Sequence, residues 1–266
     1  MSLDNVGLHM NRYYLPKGMR PSTLEERKQF YEREFNLDGV REWLRDWRGK
    51  VIFAVIIGRH TRIYPLEYAD EASTTILIEN YKGLEDVRSW ILEFLPESVY
   101  YDRNVYDEEG HILGQELAFD IDPENFTCPI HGSLEDKMRR HQGLSFCELE
   151  LDAARRETIR FYEVLSEIFT DLKIVYSGRG FHIHVFDEDA FNWSYEKRSA
   201  FARDMRNRGF IFDEWVTSGG MRLIRLPYSL HGMVSRIVMP VDISELERPN
   251  LVDDERFIPM FLRGER

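Results

Sequence analysis

Two carboxylates, Asp120 and Asp122, stand at i and i+2 near the end of the apolar run Glu116-Leu117-Ala118-Phe119-Asp120-Ile121-Asp122-Pro123. In a strand that spacing sends both to one face, their Cα atoms roughly 7 Å apart. Hard oxygen donors placed this way suit Mg²⁺ or Mn²⁺, ions that keep several waters and complete their shells with substrate phosphates. Further along, Ser177-Gly178-Arg179-Gly180 offers flexible backbone, exposed N–H groups and a guanidinium suited to bidentate phosphate contact. Behind that turn Phe181, Ile183 and Val185 alternate with His182 and His184, which places both imidazoles on one face of a strand. Acids for metal, a turn for phosphate and an adjacent imidazole are the parts that two-metal nucleotidyl transfer requires. Each has a plainer reading when taken singly. The acids fit a strand-ending turn with solvated carboxylates, and the second stretch fits a hairpin with exposed histidines, or a His-x-His metal site.

Directly after the acidic pair comes an excursion, residues 124–150, that holds both cysteines of the chain. Cys128, His131, His141 and Cys147 give the spacing C-x2-H-x9-H-x5-C, and such donors suit a tetrahedral Zn²⁺ that staples a loop with little core of its own. His141 lies in a charged run, so Glu148 or Glu150 is an alternative fourth donor. A free buried cysteine with exposed histidines is the competing reading. Downstream, Phe212-Asp213-Glu214-Trp215-Val216-Thr217 leads into Met221-Arg222-Leu223-Ile224-Arg225-Leu226-Pro227-Tyr228-Ser229-Leu230-His231-Gly232. Alternation puts Arg222 and Arg225 on opposite faces of that strand, so only one face serves a pocket.

These residues need elements to hold them. In Pro21-Ser22-Thr23-Leu24-Glu25-Glu26, Ser or Thr followed three residues later by Glu resembles a capping box that opens a helix carrying Phe30, Tyr31 and Phe35. Residues 50–57 and 74–78 read as strands, 84–94 as helix, and 99–105 as strand again. Strong helical patterns cover 152–169 and 194–208, with strands at 222–227 and 236–241. Helices and strands interleave throughout, which predicts an α/β or α+β class with a mixed sheet rather than a fully parallel one.

Composition narrows the setting. The 266 residues are 43% apolar, enough for a substantial core. The start of the chain carries no apolar stretch of signal-peptide type and no segment reaches membrane-span length, so a cytoplasmic chain with no membrane partner is expected. Two cysteines are too few for a disulfide framework. A formal charge of -12 argues against a general nucleic-acid coat, so any polyanion must meet a local basic site.

In order, these motifs resemble the catalytic small subunit of archaeal and eukaryotic-type DNA primases. The resemblance runs from about Gln29 to Asp242 and rests on the set: the Asp-x-Asp strand end, the Cys/His excursion, Ser-Gly-Arg-Gly-x-His, an Asp before Val-Thr, and Arg-Leu-Ile-Arg-Leu-Pro-x-Ser-Leu-His-Gly. It implies one primase-type catalytic domain over 1–266 with an RRM-like half, two divalent ions and a separate structural zinc. Asp120, Asp122 and Asp213 are then the metal carboxylates, with Asp242 as the fallback for the third. Ser177, Arg179, His182, Arg225 and His231 are the nucleotide-binding set. The implied activity is template-directed synthesis of a short primer from nucleoside triphosphates on single-stranded or primed DNA, in company with a primase large subunit. The sequence departs from the family pattern in the single basic residue of its turn and in the absence of a second Cys-x2-Cys pair. A repair, end-joining or gap-filling polymerase of the same superfamily, a catalytically silent nucleic-acid-binding paralogue, and a His-based non-haem iron oxygenase are the alternatives. The oxygenase leaves the acidic pair and both arginine motifs unexplained.

Overall fold

Of the two candidate caps, Thr23 closes the first helix: its hydroxyl accepts from Glu26 N–H, and Glu26 reaches back to the Thr23 N–H. The computed structural model describes residues 13–45, 49–58 and 75–264. The helices that matter for the site are α1 (Leu24–Arg33), α2 (Leu37–Trp43), α3 (Leu84–Phe94), α4 (Leu134–Arg139), α5 (Glu148–Ser166), α6 (Glu188–Phe191), α7 (Tyr195–Asn207) and α8 (Glu214–Thr217). The strands are β1 (Phe53–Ile56), β2 (Thr75–Ile78), β3 (Ser98–Asp102), β4 (Asn104–Tyr106), β5 (Ile112–Gln115), β6 (Leu117–Ile121), β7 (Leu172–Tyr176), β8 (Phe181–Val185), β9 (Leu223–Arg225), β10 (Leu230–His231), β11 (Arg236–Ile237) and β12 (Met239–Val241).

Two four-stranded sheets carry the fold, one in the order β2-β1-β3-β9 and the other β12-β7-β8-β6. Short ribbons β4-β5 and β10-β11 stand beside them. Of the expected α/β and α+β classes the structure takes the α+β form, but the expected mixed sheet is not found: every strand pairing among the described residues is antiparallel.

Period-two alternation decides what each face of the second sheet does. Leu117, Phe119 and Ile121 of β6, Ile174 and Tyr176 of β7, and Phe181, Ile183 and Val185 of β8 join one core with Leu151, Phe161 and Leu165 of α5 and Ala202 and Met205 of α7. Each such side chain contributes ~1.5–3 kcal/mol when removed from water, so a one-residue slip would lose the whole set. The opposite face is thereby left to Glu116, Asp120, His182 and His184. The first sheet builds a second core with α1 and α3, through Phe30, Phe53, Val55, Ile91 and Tyr101.

Polar side chains join the two sheets. Glu116 accepts from the Tyr101 hydroxyl at 2.7 Å and contacts His184 Nδ1 at 2.5 Å, while Trp43 Nε1 donates to Tyr101 Oη at 3.2 Å. Arg103 donates to the Glu116 carbonyl at 2.6 Å. Glu116, His184 and Arg103 are all fully buried, so the cluster holds its geometry through mutual hydrogen bonds rather than through water.

Candidate active site

Strand pairing brings the two motifs together. Asp120 on β6 faces His182 on β8 in register, and His182 Nε2 lies 3.4 Å from Asp120 Oδ1. The turn from Ser177 to Gly180 joins β7 to β8 at the end of β6. Its closure is local: Ser177 N–H donates to the Gly180 carbonyl at 2.9 Å and Gly180 N–H to the Ser177 hydroxyl at 3.0 Å. Two glycines are required there. A Cβ on Gly180 would lie 2.3 Å from the Ile121 carbonyl oxygen and 3.2 Å from Asp122 Cα. Gly178 adopts φ +93°, and a Cβ on it would lie 2.7 Å from His231 Cβ. The turn therefore presses its backbone against the acidic strand end on one side and against His231 of β10 on the other.

Asp213 arrives from the N-terminus of α8. Its backbone N–H donates to the Asp120 carbonyl at 2.8 Å, and its carboxylate accepts from Trp215 N–H at 2.8 Å. Arg225, on β9 of the other sheet, donates to the Tyr100 hydroxyl at 2.7 Å and packs its guanidinium over the Tyr100 ring at 4.7 Å. Arg222 takes the other face of that strand. It stacks on exposed Trp215 at 5.3 Å and bonds the Trp215 carbonyl at 2.7 Å. Asp242 lies elsewhere: it caps the helix Ile243–Leu246 through Ser244 N–H at 2.9 Å.

The electrostatics follow from burying acids together. Burial and the charges of Asp122, Asp213 and Glu124 push Asp120 well above the usual carboxylate range. Burial and Glu124 push Asp122 up to about 7, against the pull of Arg179 and Arg225. Burial holds His182 well below the ordinary imidazole value, with His184 and Arg225 adding to the effect, so at neutral pH it is an uncharged imidazole. Asp120 Oδ1 is buried without a hydrogen-bond donor. Mutually repelling hard oxygen donors, one of them lacking a donor, fit a divalent cation.

One residue at this site had no motif to announce it. Glu124, buried in the short 3₁₀ turn Pro123–Asn125, forms an ion pair with Arg179. Arg179 is itself buried, and the neighbouring acids hold its guanidinium firmly protonated against the cost of burial. The only sequence signal was an acidic residue two positions after Asp122, which in isolation reads as a solvated turn.

The cysteine excursion forms a second donor cluster. Cys128 Sγ lies 3.7 Å from Cys147 Sγ and 3.3 Å from His131 Nδ1, and Glu150 brings a carboxylate oxygen into the same group. A tetrahedral ion about 2.3 Å from two thiolates sets them about 3.8 Å apart, so these donors fit such an ion. Two features hold the arrangement. Cys128 and Gly132 exchange backbone hydrogen bonds at 3.0 and 2.8 Å, and Tyr14 stacks on the His131 ring at 4.0 Å. His141 does not join the cluster. It sits exposed with φ +57° in the turn that ends α4, outside the group of donors. Glu150 stands where a fourth donor belongs, held by buried Lys137 at 2.6 Å and by Cys147 N–H at 2.8 Å. Glu148 is exposed and is likewise outside the group.

The family model described as DNA primase small subunit matches residues 119–210. A DNA primase small subunit-like protein of Archaeoglobus fulgidus is 52% identical over 269 residues, covering 94% of each chain. The DNA primase small subunit of Pyrobaculum arsenaticum is 26% identical, over 64% of this chain and 68% of its own. That of Pyrococcus abyssi is 29% identical, over 64% of this chain and 45% of its own. Among solved structures, the polymerase domain of Mycobacterium tuberculosis Ligase D in complex with DNA superposes with a TM-score of 0.51 at 14% identity, over 85% of this chain and 88% of that one. This last likeness is one of fold.

Proposed function

The chain belongs to the DNA primase small subunit family, and on that premise we propose that it is a DNA-templated nucleotidyltransferase that joins nucleoside triphosphates into a short primer. The observation that carries this reading is the meeting of Asp120, Asp122 and Asp213 with the Ser177–Gly180 turn, Arg179 and Arg225 at one strand end. Asp120, Asp122 and Asp213 would hold Mg²⁺ or Mn²⁺, whose chemistry when bound is to neutralise charge on the attacking and leaving oxygens of a phosphoryl displacement.

The chain's own groups do the rest. A primer 3′-hydroxyl attacks the α-phosphate, and pyrophosphate leaves. Arg179 and Arg225 supply charge-assisted hydrogen bonds to the triphosphate. Ser177 and the glycine-flanked backbone offer neutral donors beside them. His182, uncharged at neutral pH, donates a hydrogen bond to phosphate without adding charge, and His231 closes the turn from the other side. Glu124 holds Arg179 until a triphosphate takes its place, so nucleotide binding is an exchange of one anion for another. In this reading residues 124–150 are an insertion within one catalytic domain, stapled by Zn²⁺ on Cys128, His131 and Cys147 with Glu150 as the fourth donor. A primase large subunit is the expected partner. Among the described residues, no helix is long and apolar enough to cross a membrane.

The test is to incubate the purified chain with unprimed and primed single-stranded DNA, labelled ribo- or deoxynucleotides, and Mg²⁺ or Mn²⁺, and to size the products. Templated products on both substrates support a primase. Products on primed DNA alone assign extension, as in a gap-filling polymerase. No product under any condition, with the fold intact, refutes the activity and leaves a binding paralogue.

A further inference from the structure

The helix α8, which brings Asp213 to the other acids, is four residues long, too short to hold its shape alone. It runs into Gly219 and Gly220, both at positive φ, and its carbonyls have no partners within the helix. One of them, that of Val216, is bonded by Arg103, a fully buried residue between β3 and β4. The same guanidinium donates through its other terminal nitrogen to the Glu116 carbonyl at 2.6 Å, where the chain enters β6. The backbone of Arg103 adds two more bonds. Its N–H donates to the Arg222 carbonyl at 3.2 Å, just before β9, and its carbonyl accepts from Glu116 N–H at 2.9 Å. A single residue thus ties β6, which carries Asp120, to both ends of the 216–222 segment that lies between Asp213 and Arg225.

We propose that Arg103 is the positioning residue for the third metal carboxylate: by clamping Val216 to Glu116 it fixes α8 so that Asp213 stands against Asp120. The clamp acts beside the contact it protects, since Asp213 N–H donates to the Asp120 carbonyl at 2.8 Å and the Asp213 carboxylate is held by Trp215 N–H at 2.8 Å. Burial pulls the Arg103 guanidinium down to about 10, with the Glu116 charge opposing, so it is charged at neutral pH. Burying that charge is costly, and an apolar side chain would fill the space without the cost. It would also leave the Glu116 and Val216 carbonyls without this donor. What only arginine supplies is a planar fork whose two terminal nitrogens reach carbonyls on separate segments, whereas a lysine ammonium is a single point. The inference rests on the reading of Asp213 as a metal-binding acid of the proposed nucleotidyltransferase.

Amide hydrogen exchange of the full chain, followed by NMR, tests the clamp, and Mn²⁺ binding, followed by electron paramagnetic resonance, tests its consequence. In the unsubstituted chain the amides of Asp213 and Ser218, bonded to the Asp120 and Glu214 carbonyls, should exchange slowly. Exchange there at the rate of an open loop overturns the proposal without relying on any variant. R103K keeps the charge and loses the fork. It should speed exchange across residues 213–218 but not across 117–121 or 181–185, and weaken Mn²⁺ binding about tenfold, the scale of a lost outer partner of a metal ligand. D213N should weaken Mn²⁺ binding too, and R103K should add nothing in that background, because both act through one carboxylate. Unchanged exchange in R103K overturns the proposal. So does faster exchange spread over both sheets, or a full further loss of Mn²⁺ affinity in the double variant, since either makes Arg103 a general core residue. An unsubstituted chain that binds no Mn²⁺ while R103K still loosens 213–218 alone removes the metal reading and leaves the clamp standing.

Discussion

Replacing Asp122 by Asn is expected to stabilise the metal-free protein at neutral pH while abolishing metal-induced stabilisation and incorporation. The unfolded chain releases the Asp122 proton near 3.8, the ordinary value for an aspartate, whereas the native chain holds it to about 7, because burial and Glu124 oppose the charge. Between those values the native state binds more protons than the unfolded state, so stability falls as pH rises through the window. At ~1.4 kcal/mol per pKa unit, the shift sets a ceiling of about 4 kcal/mol on the ionisation penalty. Partial exposure of the carboxylate and its sharing of charge with Asp120 reduce this to about 2 kcal/mol. Asparagine carries no such penalty. For a chain of this size the difference corresponds to a Tm about 4–8 °C higher for D122N at pH 8, and the gain shrinks to a small remainder near pH 4, where the native carboxyl is protonated and the unfolded one only partly ionised. Differential scanning fluorimetry from pH 4 to 8, with and without Mn²⁺, measures it. Mn²⁺ should raise the Tm of the unsubstituted chain and leave D122N unmoved. A gain of D122N over the unsubstituted chain no larger at pH 8 than at pH 4, or a variant that Mn²⁺ still stabilises, would refute the placement of Asp122 among buried metal-binding acids.

Other expectations follow from the remaining parts of the site. Glu124→Gln removes the anion that occupies Arg179 while keeping a hydrogen-bonding partner, so calorimetry should show tripolyphosphate binding about tenfold tighter; weaker binding would mean that Glu124 only orients Arg179. The purified chain should carry one zinc per molecule by elemental analysis, lost in C128S/C147S, with residues 124–150 then open to proteolysis; zinc-free protein of equal resistance would count against the staple. Burial holds the Cys147 thiol up to about 11 in the metal-free state, so zinc uptake should release protons and its apparent affinity should climb with pH, as a proton-release titration would show. With 47 acidic residues against 35 basic ones, the isolated chain should hold single-stranded DNA weakly at physiological salt, and a primase large subunit should tighten it; partner-independent tight binding would favour a self-sufficient repair polymerase.

Local patterning settled a good deal before any coordinates. Alternation alone put Asp120 with Asp122, and His182 with His184, on shared strand faces, because a strand has no other way to bury Leu117, Phe119 and Ile121 on one side. The Thr23 capping box, the helix Leu84–Phe94 and the long helix α5 were likewise readable, since each depends on contacts within a few residues. Tertiary structure decided what lay across long stretches of chain. Arg225 reaches the acids only because β9 pairs with β3 in the opposite sheet. Glu116 becomes the hub of a buried network only because Tyr101 and His184 converge on it from different sheets. The same cause separates the donors of the cysteine excursion. Spacing left the fourth donor open between His141, Glu148 and Glu150, and the turn after α4 carries His141 to the surface, while α5 brings Glu150 beside the thiolates. Spacing along a chain constrains neighbours on one element, and which elements face one another is set by how the two cores close.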